Sequence, residues 1–146
     1  MRKILLSLLV ALMCLTPSLA EDSRTTGLPP EIKCLADNIY FESRGESFKG
    51  KLAVAIVTLN RVRSPDYPKT ICGVVYQRGQ FSWTRTKHKV MDFYAWTDSL
   101  LAANMAMEDS KVLGNFKATH YHSTDINPGW KLRKVAKIGK HLFYQA

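Results

Sequence analysis

Residues 31–62 read EIKCLADNIYFESRGESFKGKLAVAIVTLNRV, and the fold turns on how this stretch is read. Ile32, Leu35, Ala36, Ile39 and Tyr40 recur at the i, i+3, i+4, i+7, i+8 spacing of an amphipathic helix. Pro30 suits the first turn of that helix, and Glu31 sits favourably near its positive end. Gly45 is a natural stop. Ser47 can cap a second helix running to about Val62, with Leu52, Ala55, Ile56, Leu59 and Val62 as its buried stripe. The run VAIVTL (residues 54–59) is rich in β-branched residues, so a strand competes there.

Working outward, Ser64-Pro65-Asp66-Tyr67-Pro68 is a turn-rich loop. Residues 71–82 (ICGVVYQRGQFS) give a short apolar segment, a turn at Gly79 and an exposed Gln80-Phe81-Ser82 stretch. Residues 92–113 carry a long helical pattern, with Phe93, Trp96, Leu100, Ala103 and Met107 as one face and Gly114 as the stop. The remainder is short and strand-like: Ala118 to His122, a turn at Asn127-Pro128-Gly129, an exposed Trp130, and a closing segment from Ile138 to Tyr144. The sum is a mainly helical α+β domain with a small β element. There is no internal repeat.

At 146 residues the chain has room for one ordinary domain. That excludes a two-domain doubly wound fold and a full (β/α)8 barrel. Lys and Arg number 21 against 12 Asp and Glu, a net charge of +9. The excess favours an anionic partner: nucleic acid, anionic lipid, or an acidic wall polymer.

The first twenty residues narrow that choice. MRKILLSLLVALMCLTPSLA has a basic start, an apolar run too short to span a bilayer comfortably, and a Ser18-Leu19-Ala20 end of the kind a signal peptidase reads. Residues 1–20 are therefore read as a secretory signal peptide, with an N-terminal anchor as the alternative. Met13 before Cys14 argues against lipidation. Removal of residues 1–20 lowers the net charge to +7 and takes Cys14 away. The expected product is exported, periplasmic or secreted to the cell wall, without an integral membrane anchor. Export argues against nucleic acid as partner.

Residues 21–30 (EDSRTTGLPP) read as a short tether, and 31–146 as the folded domain. Cys34 and Cys72 remain, in a compartment where disulfides persist. Joined, they would close a loop of about 38 residues; the alternative is two buried thiols.

The sharpest chemical feature is Tyr40-Phe41-Glu42-Ser43-Arg44-Gly45-Glu46. At 100° per residue Glu42 falls beside Leu35 and Ile39, at the edge of the buried stripe and in the last helical turn. Burial, the helix dipole and the neighbouring Phe41 all raise a carboxyl pKa, as a general acid requires. Arg44 would pull the other way if it came close. The bland alternative is a surface Glu at a helix end. Glu46 would sit one turn beyond Glu42 if the helix ran on, forming a carboxylate pair as in glycosidases; otherwise it caps the next helix or positions a sugar. His120 and His122 lie on one side of a strand and, with Asp125 or His141, could bind zinc, although no third ligand has motif spacing. No phosphate-cradling loop or GxSxG elbow is present. Trp83, Trp96 and Trp130 are core or sugar-stacking aromatics, Trp130 being the most exposed candidate.

Three segments together resemble the SleB/CwlJ family of cell wall hydrolases: AxxIYFESRGESFKGKLAVAIVTLNRV, SPDYPKTICGVVYQRGQFSW, and ATHYHSTDINPGW with KIGKHLFY. The resemblance covers nearly all of 31–146. It implies a lysozyme/lytic-transglycosylase-like single domain that cuts peptidoglycan between N-acetylmuramic acid and N-acetylglucosamine. It places the catalytic Glu on Glu42, the first Glu of E-x-R-G-E. Gln80, Phe81, Ser82, His120 and Tyr121 would then line the groove, with Glu46 and Trp130 as further substrate contacts. Ser43 departs from the Ala common in the family. No cofactor and no metal is expected, and a monomer is the default.

One carboxyl suffices for a transglycosylase that yields 1,6-anhydro ends, whereas a lysozyme-type muramidase would need Glu46 as a second acid. A zinc amidase or peptidase built on the two histidines, and a non-catalytic wall-binding module, are the readings from other classes.

Overall fold

The structure, a computed structural model, describes residues 27–146. The expected signal peptide and most of the tether lie outside the described residues. Four α-helices precede a three-stranded sheet: α1 (Pro30–Ser43), α2 (Phe48–Arg63), α3 (Ile71–Val75), α4 (Phe93–Glu108), β1 (His120–Ser123), β2 (Arg133–Ile138) and β3 (His141–Gln145), with a 3-10 turn at Ser82–Arg85 before α4.

Pro30 opens α1, and the helix closes at Ser43, whose hydroxyl bonds back to the Ile39 carbonyl at 2.7 Å. Glu31 in its first turn serves a different helix. Its carboxylate accepts from the amides of Ile71 (2.5 Å) and Cys72 (3.4 Å), supplying the anion that the N-terminus of α3 favours. A disulfide between Cys34 and Cys72 joins the same two helices. On the chain-entropy account, closing a loop of this length contributes about 4 kcal/mol.

Ser47 caps α2 by accepting from the Gly50 amide at 3.3 Å. The β-branched run inside α2 is helical, not a strand. Every residue from Lys51 to Leu59 is buried, so this helix needs apolar atoms all round its axis. Leu52, Val54, Ala55, Ile56 and Leu59 join the main core with α1 and α4. Ala53 and Val57 turn the other way and pack with Ala118 and Phe143 under the sheet. Burial on two sides overrides β propensity.

Helix α4 starts at the expected place, capped by Asp92, whose side chain accepts from the Ala95 amide at 3.0 Å. It ends at Glu108, five residues short of the pattern read from sequence. Its buried face also differs from the expected one. Ala95, Trp96, Ser99, Ala102, Ala103 and Ala106 face inward, while Phe93 is 51% and Met107 41% exposed. Small side chains let the α4 backbone approach α1 and α2 closely, and the Ser99 hydroxyl is satisfied by the Ala95 carbonyl at 2.7 Å.

From α4 the chain is clamped back onto α2. The Asn60 amide donates to the carbonyls of Phe116 (2.8 Å) and Ala118 (2.9 Å), and Arg61 Nε donates to Thr119 O (2.7 Å). The sheet has strand order β1-β3-β2, antiparallel throughout. The single closing segment expected from Ile138 to Tyr144 is divided. Its first residue ends β2, which begins at Arg133, and a turn at Gly139 (φ 55°) and Lys140 precedes β3. Phe81, expected in an exposed stretch, is 4% exposed and lies in the interior; Ser82 beside it is exposed. Among the described residues no helix is long and apolar enough to cross a membrane.

Candidate active site

Glu42 projects from the last turn of α1, partly buried. Opposite it, the β1 pairing Tyr121↔Phe143 puts Tyr121 on the helix-facing side of the sheet. The Tyr121 hydroxyl donates to Glu42 Oε2 at 3.0 Å. Burial pushes the Glu42 carboxyl above the usual carboxylate range, while the Tyr121 hydrogen bond and the Arg61 charge pull it part of the way back. The Tyr121 phenol is itself pushed well above its ordinary value, by burial first and by the Glu42 charge second, so it stays protonated and remains a donor. A carboxyl placed this way gives up its proton less readily than a free one, and it meets a donor and a cation once the proton has left.

That cation is Arg61 from α2, not Arg44. Arg44 lies over the Tyr40 ring, 5.6 Å from its centroid. The Arg61 guanidinium sits between the rings of Tyr67 (5.4 Å) and Phe81 (5.5 Å). The residue is 6% exposed, and its Nη1 is buried without a hydrogen-bond partner. Sequence reading missed Arg61. The available signal was a guanidinium closing the apolar run VAIVTLN of a buried helix, which requires a compensating anion or ring faces.

Glu46 does not continue the helix of Glu42. The chain turns at Arg44-Gly45, and the Glu46 carboxylate accepts from the Lys140 amide at 3.1 Å. The contact with the β2–β3 turn is so close that a Cβ built on Gly139 would fall 1.7 Å from Glu46 Oε2. Glu46 therefore latches the helical part of the domain to the hairpin. It also faces His141, whose ring packs edge-on against Tyr121 at 5.3 Å. Burial holds His141 below the ordinary imidazole value, although the Glu46 charge acts the other way.

The expected groove residues divide between the two faces of the sheet. His120 and His122 point away from Tyr121, into a cluster with Trp130 and Tyr144. Trp130 stands 5.4 Å from each imidazole, and His122 stacks on Tyr144 at 5.2 Å. His122 Nε2 pairs with the Tyr144 hydroxyl (3.0 Å), and the His120 ring nitrogens pair with Thr119 Oγ1 (3.0 Å) and the Tyr67 hydroxyl (3.5 Å). Burial, with Arg61 adding to it, lowers the His120 pKa. Trp130 is 41% exposed at the edge of a 250 Å³ hollow. Among the described residues no group of three or more His, Cys, Asp or Glu could hold a metal ion, so the zinc reading lacks a ligand set. Phe81 reaches the site from below, through Arg61, while Gln80 is partly buried and Ser82 opens the 3-10 turn.

Fold and site together define a mainly helical domain with a small sheet, in which a carboxyl raised by burial stands at a helix end under a tyrosine. Residues 45–144 match the Cell Wall Hydrolase family, and the chain belongs to that family. Glu42 lies three residues before the matched segment.

The spore cortex-lytic enzyme of Bacillus cereus is 33% identical over 120 residues, covering 77% of this chain and 43% of the relative. That of Bacillus subtilis is 30% identical over 119 residues, covering 77% and 37%. The chain thus spans about two-fifths of the length of these curated relatives. Among solved structures, the catalytic domain of the germination-specific lytic transglycosylase SleB from Bacillus anthracis superposes with a TM-score of 0.65 at 29% identity, covering 82% of this chain and 98% of that one. The catalytic domain of Bacillus cereus SleB gives 0.63 at 30% identity, covering 82% and 97%. The SleB/CwlJ-type resemblance and the mainly helical fold read from sequence agree with these findings.

Proposed function

We propose that this protein cleaves the glycan strand of peptidoglycan between N-acetylmuramic acid and N-acetylglucosamine as a lytic transglycosylase, with Glu42 as its one catalytic carboxyl. The observation that carries the reading is the Glu42 environment: a carboxyl raised by burial, with a phenol donor at 3.0 Å and a buried guanidinium in its field. The spore-lytic relatives and the lytic transglycosylase domain of similar fold support the same chemistry.

Protonated Glu42 donates its proton to the glycosidic oxygen. The bond from the muramic anomeric carbon to that oxygen breaks, and the leaving sugar departs as an alcohol while oxocarbenium character develops. The carboxylate left on Glu42 is stabilised by the Tyr121 hydroxyl and the Arg61 charge. It then removes the proton from the muramic C6 hydroxyl, whose oxygen attacks the anomeric carbon and closes a 1,6-anhydro ring. Glu42 ends protonated, as it began, and no water is consumed. A muramidase would need a second free carboxylate, and the nearest in sequence, Glu46, is engaged by the Lys140 amide.

The protein acts after export and removal of residues 1–20, as a monomer in the periplasm or at the wall, with Glu46, Gln80, Phe81, Ser82, His120, Tyr121 and Trp130 shaping or contacting the glycan path. Its basic excess supplies long-range attraction to the anionic wall, so wall binding weakens with added salt. Mass spectrometry of muropeptides released from purified wall tests the reaction: anhydro ends lighter by one water are expected, and reducing ends alone would overturn the transglycosylase reading.

A further inference from the structure

On the side of α1 away from the sheet lies a cleft of about 800 Å³ that the reaction above does not use. Its aromatic wall starts at Phe41, the chain neighbour of Glu42. Phe41 stacks on Trp83 at 4.7 Å, and Tyr76 packs edge-on against Trp83 at 5.9 Å. Trp83 is pinned by its indole N–H, which donates to Asn38 Oδ1 at 3.3 Å. The opposite wall is the segment 84–91, whose far end is tied down where the amides of Met91 and Asp92 both donate to the Tyr40 hydroxyl at 3.1 Å.

The charge in this cleft is one-sided. Asp37 is its one carboxylate, and that group is committed to Lys33 at 2.8 Å. Burial raises the Asp37 pKa, with the Lys33 contact opposing. Arg85, Lys87 and Lys89 line the other wall, exposed, and among the described residues none of them has an ion-pair partner. His88 adds a ring 5.6 Å from Phe41. A neutral sugar chain is served by ring faces and neutral or acidic hydrogen-bonding groups. Three unpaired cations facing apolar rings fit a ligand with methyl groups and free carboxylates.

We infer that this cleft binds the carboxylate-bearing peptide branch of the wall polymer, holding it beside the glycan presented to Glu42. The inference rests on the peptidoglycan reading above and adds a recognition element to it. Its occupant is a short peptide with alanyl methyls and free carboxylates; a bare glycan segment is the competing occupant.

The test titrates the intact mature protein, in calorimetry, with a synthetic stem tetrapeptide carrying free carboxylates and with the same peptide fully amidated. Saturable binding of the free acid is expected, with binding weaker by roughly tenfold both for the amidated peptide and for Lys87→Glu/Lys89→Glu against the free acid. Both lysines are exposed, and circular dichroism of the variant confirms that it folds. A second readout compares kcat/KM on wall strands with peptides intact and on strands stripped by an amidase. The wild type is expected to prefer intact strands, and the double variant is expected to lose the preference. Absence of saturable binding, equal binding of both peptides, or an unchanged preference in the variant would overturn the inference. Failure of the glycan-cleavage reading would show separately, as absence of released muropeptides with the peptide titration intact.

Discussion

The Tyr121 hydroxyl, on the first strand of the sheet, lies 3.0 Å from Glu42 Oε2 at the end of the first helix, across 79 positions of sequence. The bond ties the sheet to the proton-bearing carboxyl. Replacing Tyr121 by Phe keeps the ring in its cluster with Phe143 and removes only the donor. Hydrogen bonds to charged groups contribute about 1.5–3 kcal/mol, so turnover should fall by roughly tenfold to a hundredfold while wall binding is retained. Initial-rate measurements on purified wall check this.

The pH profile follows from the same carboxyl. Burial raises the Glu42 pKa, and the acid role needs the protonated form, so activity is present below the raised value and is lost as pH rises through it. Tyr121 and Arg61 both pull that value down, so Tyr121→Phe and Arg61→Met each move the alkaline limb to higher pH. A rate–pH series on both variants checks the direction. A downward move in either would contradict the assigned electrostatics.

Glu42 also affects stability, with the sign fixed by linkage. The folded state holds the carboxyl proton more tightly than the unfolded chain, so this group's contribution falls as pH rises from the ordinary carboxylate value through the raised one. Glu42→Gln removes that penalty. Thermal unfolding should show the variant gaining stability relative to wild type at neutral pH and losing that advantage in acid.

Glu46 and Gly139 form a testable pair. Ala at Gly139 would put a methyl against the Glu46 carboxylate and force a side chain to φ 55°. The expected cost is about 1–3 kcal/mol. In a Glu46→Ala background the steric part disappears and only the backbone part remains, so the two substitutions are non-additive. Denaturant unfolding of the four proteins measures the coupling. Additive costs would mean that the carboxylate swings aside freely.

The disulfide gives a further check. Cys34→Ser/Cys72→Ser opens the loop and should cost up to about 4 kcal/mol. Glu31 still caps the third helix in that variant, so the two helices remain in contact and the fold survives.

The residues read most directly from sequence are those whose placement depends on local periodicity. The first helix, its end before Gly45, the Ser47 cap and the position of Glu42 at the helix end all follow from spacing and capping chemistry within about twenty residues. The inward face of the fourth helix followed only in part. Pattern reading placed Trp96 and Ala103 correctly but added Phe93 and Met107, whereas close helix packing selected Ala95, Ser99, Ala102 and Ala106 beside them. The parts of the site set by long-range contacts were also hidden. The Arg61 charge acts on Glu42 from another helix, and Glu46 finds its partner 94 positions away in Lys140. Strand alternation already sets His120 and His122 on one side in the sequence; the resemblance grouped His120 with Tyr121 on the groove wall, and the sheet sends those two to opposite faces.

The role of Glu42 as the one catalytic carboxyl is tested by the mass spectrum of muropeptides released from purified peptidoglycan by the wild type and by Glu42→Gln. The wild type should give 1,6-anhydromuramic ends, and the variant no release above background while its binding to the wall persists. Release at the wild-type rate by Glu42→Gln, or reducing ends as the sole product of the wild type, would contradict that role.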